Sequence, residues 1–275
     1  MFRNHSFNRV LRITGALAVL MLLLAACAAP AAVTPTAVTP TDGLPTVAPT
    51  DAPPPAAQSP ELTANLNGLA QGLTAQVIAA VPPTTDGPYW EALPEHTRLD
   101  LSGYPIGEHL MKPQIFIYPL DELAAANQGA GQIAADLQTL LQTQQVGKNL
   151  PFLPLFNASQ VMHAQVQFLD FKNGQGVRFV TQFDQAPLPI NNHELIYTFQ
   201  GLTSDGKYYV AALLPVNLAG LPADETITGQ ESPEFVSDFL KYLETTVSLI
   251  DAQPASAFTP DLSALDALVQ SIEIK

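Results

Sequence analysis

The chain has 275 residues, with 11 lysines and arginines against 25 aspartates and glutamates, a formal charge of −14 at neutral pH. Such an excess of negative charge repels phosphate backbones and anionic headgroups, so it argues against nucleic-acid binding. A single cysteine excludes an internal disulfide and a cysteine zinc cluster, so the folded part must hold together through its apolar core.

Arg3, Arg9 and Arg12 precede an apolar run over residues 13–24, which leads into Leu24-Ala25-Ala26-Cys27. A basic segment, a short apolar stretch and small residues before a cut are the parts of a secretory signal, expected here over residues 1–26. The four residues ending in Cys27 resemble the lipobox of bacterial lipoproteins. That resemblance implies diacylglyceryl transfer to the Cys27 thiol, cleavage before Cys27 and acylation of the new terminus. Two or three acyl chains, at about 0.8 kcal/mol per buried methylene, attach durably where one is marginal. The competing expectation is an uncleaved anchor, for which the 17 residues 13–29 sit at the short limit for spanning. Beyond Cys27 the chain carries 8 basic and 25 acidic groups. Solubility is the plainest consequence of that charge, and a cationic partner or calcium-rich surroundings the sharper one.

Residues 27–59 are read as the lipidated cysteine and its linker. The sequence AAPAAVTPTAVTPTDGLPTVAPTDAPPPAAQS is dominated by proline, threonine and alanine, without aromatic residues or an apolar period. It cannot bury enough surface to offset its ordering entropy, so disorder with polyproline character is expected. At ~3.1 Å per residue its full extension is on the order of 100 Å.

Residues 60–275 are expected to form one globular α+β domain. Ser59-Pro60-Glu61 reads as a helix start, and Leu62, Leu66, Leu69, Leu73 and Val77 recur at helical spacing up to Pro82-Pro83. The spacing predicts an amphipathic entry helix, weakened by Gly68 and Gly72. Residues 114–118 are a β-type run ended by Pro119, and a helical segment follows from residue 120 to about 145. Gly129 and Gly131 are expected to break it, leaving Ile133, Leu137, Leu140 and Leu141 as its buried stripe.

From Val161 the period changes to two: Met162, Ala164, Val166 and Phe168 alternate with His163, Gln165 and Gln167. Asn173-Gly174-Gln175-Gly176 supplies a turn, and Val177, Phe179, Thr181 and Phe183 form the returning face. A second hairpin runs from 195–199 through Ser204-Asp205-Gly206-Lys207 into 208–214, with the 184–194 loop joining the two. Ser232-Pro233-Glu234 opens a helix with the face Val236, Phe239, Leu240, Leu243, Val247 and Ile250. Thr259-Pro260-Asp261 opens a last one with Leu262, Leu265, Leu268, Val269 and Ile272. Grouped strands between helices predict an antiparallel sheet of two consecutive hairpins packed with amino- and carboxyl-terminal helices.

The order of IFIYP, a helix, a meander ending in SDGKYYVAALLPV and a final ALDALVQSIEIK looks like the Mog1/PsbP-like α+β fold. The stretches NLPFLPLFNASQVMHAQVQFLDFKNGQGVRF and INNHELIYTFQGLTSDGKYYV resemble a group of uncharacterised secreted bacterial lipoproteins with similar Thr/Pro linkers. The resemblance covers about residues 95–275 and rests on structural motifs. It implies fold, address and a binding or assembly role, and it carries over no active-site residue.

Chemistry is sparse. There is no Gly-x-Ser-x-Gly elbow, no Ser-x-x-Lys of the penicillin-binding type and no phosphate loop, and no cofactor or metal is expected. His193-Glu194 begins like a zinc-protease motif, but Tyr197 stands where the second histidine is needed. His96, His109, His163 and His193 could converge only through the fold, and His163 is expected on the polar strand face. Asp121-Glu122 and Asp224-Glu225 are paired acids, suited to acid–base work or, for the first pair, to a helix start. Asp170, Asn173 and Asp184 lack the spacing of a calcium loop.

The binding candidate is the proline-stiffened loop Ala186-Pro187-Leu188-Pro189-Ile190-Asn191-Asn192-His193, with Asn191, Asn192 and His193 as contact residues. The expected function is a membrane-tethered, non-catalytic binding module for a protein or envelope component. Its partners would be the membrane, through the lipid anchor, and an envelope protein or ligand. An envelope hydrolase using carboxylate or histidine chemistry and an envelope assembly factor are the alternatives.

Overall fold

The computed structural model describes residues 60–84 and 86–275. The expected secretory signal, Cys27 and the linker lie outside the described residues. In chain order the elements are β1 (Leu62–Thr63), β2 (Gly72–Ile78), β3 (His96–Ser102), β4 (Gln114–Pro119), α1 (Leu120–Ala126), α2 (Gln128–Thr143), β5 (Ser159–Phe171) and β6 (Gly174–Asp184). Then come β7 (Ile196–Thr203), β8 (Tyr208–Pro215), β9 (Asn217–Leu218), α3 (Pro233–Ser237), α4 (Phe239–Asp251), β10 (Phe258–Thr259), α5 (Leu262–Gln270) and β11 (Glu273–Ile274). Seven strands form one antiparallel sheet in the order β2-β3-β4-β8-β7-β6-β5. Both expected hairpins are present, and β4, β3 and β2 extend the sheet beyond them.

Helices cover both faces. On one, Ile115, Ile117, Tyr197, Phe199 and Val210 pack with Ile250 of α4 and with Leu262, Leu265 and Leu268 of α5. On the other, Phe116, Tyr118, Phe179 and Tyr209 pack with Leu123 of α1 and with Leu137 and Leu140 of α2. A strand buried on both faces has no polar side to alternate with. That is why β4 (QIFIYP) and β8 (YYVAALLP) read as nearly unbroken apolar runs. Each large side chain fully buried here stabilises the fold by about 1.5–3 kcal/mol.

The expected entry helix does not form. Asn67 and Gly68 turn the chain with φ of 49° and 79°, left-handed values that a right-handed helix cannot hold. Beyond the turn, β2 pairs with β3, placing Leu73 opposite Leu101 and Val77 opposite Thr97. Thr74, Val77 and Ile78 are β-branched and suit a pleated edge strand. Leucine spacing alone therefore misleads here, and sheet pairing wins.

The 120–145 segment breaks at Asn127, ahead of both glycines. Asn127 leaves helical geometry at φ −149°, ψ 111°, and its side-chain oxygen accepts from the Ala130 N–H at 3.1 Å. It thereby ends α1 and caps α2. Gly131 serves close packing instead, because a Cβ there would lie 2.6 Å from that of Ala124 in α1. Leu137, Leu140 and Leu141 are buried as the stripe predicts, and Ile133 is half-buried.

The first hairpin turns at Lys172-Asn173, with Phe171 opposite Gly174, two residues before the expected turn. Its first strand also changes phase. Between Ala164 and Gln167, β5 carries one residue more than β6, and Gln165 takes φ 56°. Met162 and Ala164 consequently face α4 and α5, whereas Val166 and Phe168 face α1 and α2. The bulged Gln165 reaches the carbonyls at the end of α4: its Nε2 lies 2.9 Å from Ile250 O, 3.1 Å from Asp251 O and 2.9 Å from Gln253 O.

At the carboxyl end, Ser232 caps α3 as its motif predicts, but the expected single helix is interrupted at Asp238. The Asp238 carboxylate accepts from the Lys241 N–H at 3.2 Å and so restarts the helix as α4. Val236 and Leu240, expected on its apolar face, are 82% and 68% exposed. Asp261 caps α5, whose Leu262, Leu265, Leu268 and Val269 are fully buried.

Candidate functional site

The candidate residues lie on the connection between β6 and β7. Asn191 is fully buried and its side chain is spent on the chain itself. Its Oδ1 accepts from the N–H groups of His193 and Glu194 at 2.9 and 3.1 Å. Its Nδ2 donates to the Pro189 carbonyl at 3.0 Å and to the Glu194 carboxylate at 2.7 Å. Two donors and two acceptor positions are thus filled, leaving nothing for a ligand. Asn192 is similarly engaged: its Oδ1 accepts from the Leu218 N–H at 2.7 Å and its Nδ2 lies 3.2 Å from the Leu218 carbonyl. It fixes the segment that follows β9. Of the three, His193 keeps its ring at the surface, with Nδ1 3.2 Å from Glu225 Oε2. The asparagines position, and the histidine presents.

His109 approaches from the β3–β4 connection. Its Nε2 is 2.9 Å from the Leu195 carbonyl and its Nδ1 accepts from the Met111 N–H at 2.9 Å. Those partners assign a neutral ring with the proton on Nε2, and burial, the dominant cause, lowers its pKa in agreement. The His109 and His193 ring centres are 6.3 Å apart. Together with Gly107, Glu108, Ala223, Asp224, Glu225 and Thr226 they line a cleft of about 650 Å³. The Thr226 hydroxyl and amide hold the exposed Asp224 carboxyl below its usual pKa. Glu108, Asp224 and Glu225 make the cleft acidic.

The same connection contains a second carboxylate group. Gln182 Nε2 lies 2.9 Å from Asp184 Oδ2, 3.1 Å from Glu194 Oε2 and 3.1 Å from the Pro189 carbonyl. Asp184 is 5% exposed, and its Oδ1 is buried with no hydrogen-bond partner. Burial first, then the charges of Glu194 and Glu225, push the Asp184 carboxyl up to about 6 against the opposing pull of the Gln182 amide.

Of the four histidines singled out in the sequence, the fold brings His109 and His193 together. His96 stacks on Tyr118 at 4.7 Å, and His163 lies half-buried on β5 with its Nδ1 unpartnered. Among the described residues no group of three His, Cys, Asp or Glu is arranged to hold a metal ion. Asp224 and Glu225, read in the sequence only as paired acids, line the cleft. Asp121 and Glu122 occupy the first turn of α1, the helix-start role expected of them. Gln182 and Asp184 were invisible as a pair with Glu194; the one available signal was polarity at the end of an otherwise apolar strand.

A separate cavity of about 600 Å³ lies between α2 and the 149–158 segment, beside the rings of Phe152, Phe156 and Phe183. Gln200 anchors that segment, accepting from the Leu153 N–H at 3.0 Å and donating to the Leu153 carbonyl at 3.1 Å.

These features define a three-layered α+β fold with an antiparallel sheet and an acidic cleft at an interstrand connection. Compared with protein-family models, curated proteins and solved structures, the chain matches none. Among the described residues no helix is long and apolar enough to cross a membrane.

Proposed function

We propose that the chain is a membrane-tethered lipoprotein whose folded unit is a non-catalytic binding module for a cationic protein or envelope component. The observation that carries this reading is the division of roles along residues 191–193. Asn191 and Asn192 are saturated by the chain, while His193 stands in an open cleft with Glu108, Asp224 and Glu225. An acidic concavity on a domain of net negative charge concentrates cations and steers their approach. The engagement of both His109 nitrogens by backbone groups favours binding over proton transfer, since a general base needs a free nitrogen facing its substrate.

The likeness of Leu24-Ala25-Ala26-Cys27 to a lipobox supports the tether, and the Pro/Thr-rich stretch behind it would set the reach. The succession of strand, helix pair, meander and carboxyl-terminal helix supports a Mog1/PsbP-like reading of the fold. A hydrolase reading has one observation in its favour, the raised Asp184 carboxyl beside Glu194. That carboxyl is buried and bonded to Gln182, which favours a structural use.

A photo-crosslinking residue at Ala223 of the membrane-anchored, full-length protein tests the proposal. It should capture a discrete envelope component, and the double variant Asp224→Lys/Glu225→Lys should lose the adduct. Capture that ignores the charge reversal, or that is equally strong from Thr139 on α2, would count against the cleft.

A further inference from the structure

We propose that Asp184, protonated beside the Glu194 carboxylate, acts as a latch on the connection between β6 and β7, closed in mildly acid surroundings and loosened as they become neutral. The Gln182 amide has two hydrogens and faces three oxygens, those of Asp184, Glu194 and Pro189. The Asp184 Oδ1 beside them is buried and has no donor at all. A proton on Asp184 neutralises this buried carboxylate and removes one of two like charges around a single amide. With both groups ionised, a buried charge goes unpaired and the carboxylates compete for the same Gln182 nitrogen, which costs the closed connection its stability.

The surroundings offer little compensation. From β5, Ser159 stands opposite Asp184 and is uncharged. From the segment after β9, Glu225 adds like charge, with Asp224 nearby in the cleft. His193, on the connection itself, is already paired with Glu225. From α4, the Tyr242 hydroxyl accepts from the Ile190 N–H at 2.9 Å and adds no basic group. The Asp184 carboxyl, pushed up to about 6 mainly by burial, agrees with this geometry. A raised carboxyl stabilises the closed form fully below its ordinary pKa, and that stabilisation is lost as pH rises through about 6.

The latch concerns the loop's own closure and stands whatever the cleft binds. Amide hydrogen exchange on the full chain from about pH 5 to about pH 7.5, corrected for the intrinsic rate, tests it. The Asn191 N–H donates to Gln182 and those of His193 and Glu194 donate within the connection; their protection should fall about tenfold over that range, because about one pH unit separates its lower end from the midpoint near 6. The near-isosteric Asp184→Asn should flatten the profile. A carbon-detected titration of Asp184 in the unaltered protein should show a midpoint near 6, and it decides the matter should the variant not fold. A flat profile in the unaltered protein, an unchanged profile in Asp184→Asn, or a midpoint at the ordinary value of about 4 would each overturn the latch.

Discussion

Helices α4 and α5 lie on the same face of the sheet but are held there by different means. α5 buries Leu262, Leu265, Leu268 and Val269 completely, and its Asp266 accepts from Arg178 Nε at 3.1 Å and from the Tyr197 hydroxyl at 2.9 Å. α4 fully buries only Ile250, rests Leu243 and Val247 partly against the core, and has its carboxyl end clamped by the bulged Gln165. One helix is part of the core; the other is docked on it by a short apolar contact and a few polar bonds. Elements of the second kind open first, because little apolar surface must be exposed to release them. α4 also touches the connection that carries the candidate site, through Tyr242 and Ile190. The site therefore leans on a firm sheet from one side and on a weakly attached helix from the other.

Three substitutions test the difference between the two helices. Leu265→Ala in α5 should destabilise the protein by about 2–5 kcal/mol in urea unfolding, because a fully buried leucine leaves a cavity. Gln165→Ala should cost less, about 1–3 kcal/mol, through the Asp251 and Gln253 carbonyls it leaves without their Gln165 donor behind α4. It should also speed amide exchange in α4 while α5 keeps its protection. Leu240→Ala, on an exposed part of α4, should change stability by no more than about 0.5 kcal/mol. Equal costs for Leu240→Ala and Leu265→Ala would erase the distinction between the two helices.

The same contrast explains what could be read from the sequence. α5 was legible because its Asp261 cap, its leucine period and its tertiary burial all point the same way. The β7–β8 hairpin was legible for a similar reason, with Ser204-Asp205-Gly206-Lys207 between two apolar runs. β2 was misread because Leu69, Leu73 and Val77 fit a helix, and nothing local reveals that β3 lies ready to pair. The phase change in β5 was hidden because a one-residue bulge leaves the alternation of residue types intact while turning Val166 and Phe168 to the opposite face. The break at Asn127 is masked in the sequence because glycine is the louder signal, although an asparagine that can cap is the stronger cause.

For the site, sequence identified the loop and the one residue that presents its ring, His193. It also credited Asn191 and Asn192 with contacts that their hydrogen bonds show to be internal. Asp184, Gln182 and His109 act through burial and long-range approach, which residue type alone does not encode. His109 meets His193 from 84 positions upstream, and only the strand order brings them together.

Mapping amide shifts while the full-length protein is titrated with a short oligolysine tests most directly whether the acidic cleft is the recognition face. The account predicts shifts concentrated at residues 107–109, 193 and 223–226, abolished in Asp224→Lys/Glu225→Lys. Shifts spread evenly over the acidic surface, or unaltered in that variant, would contradict it.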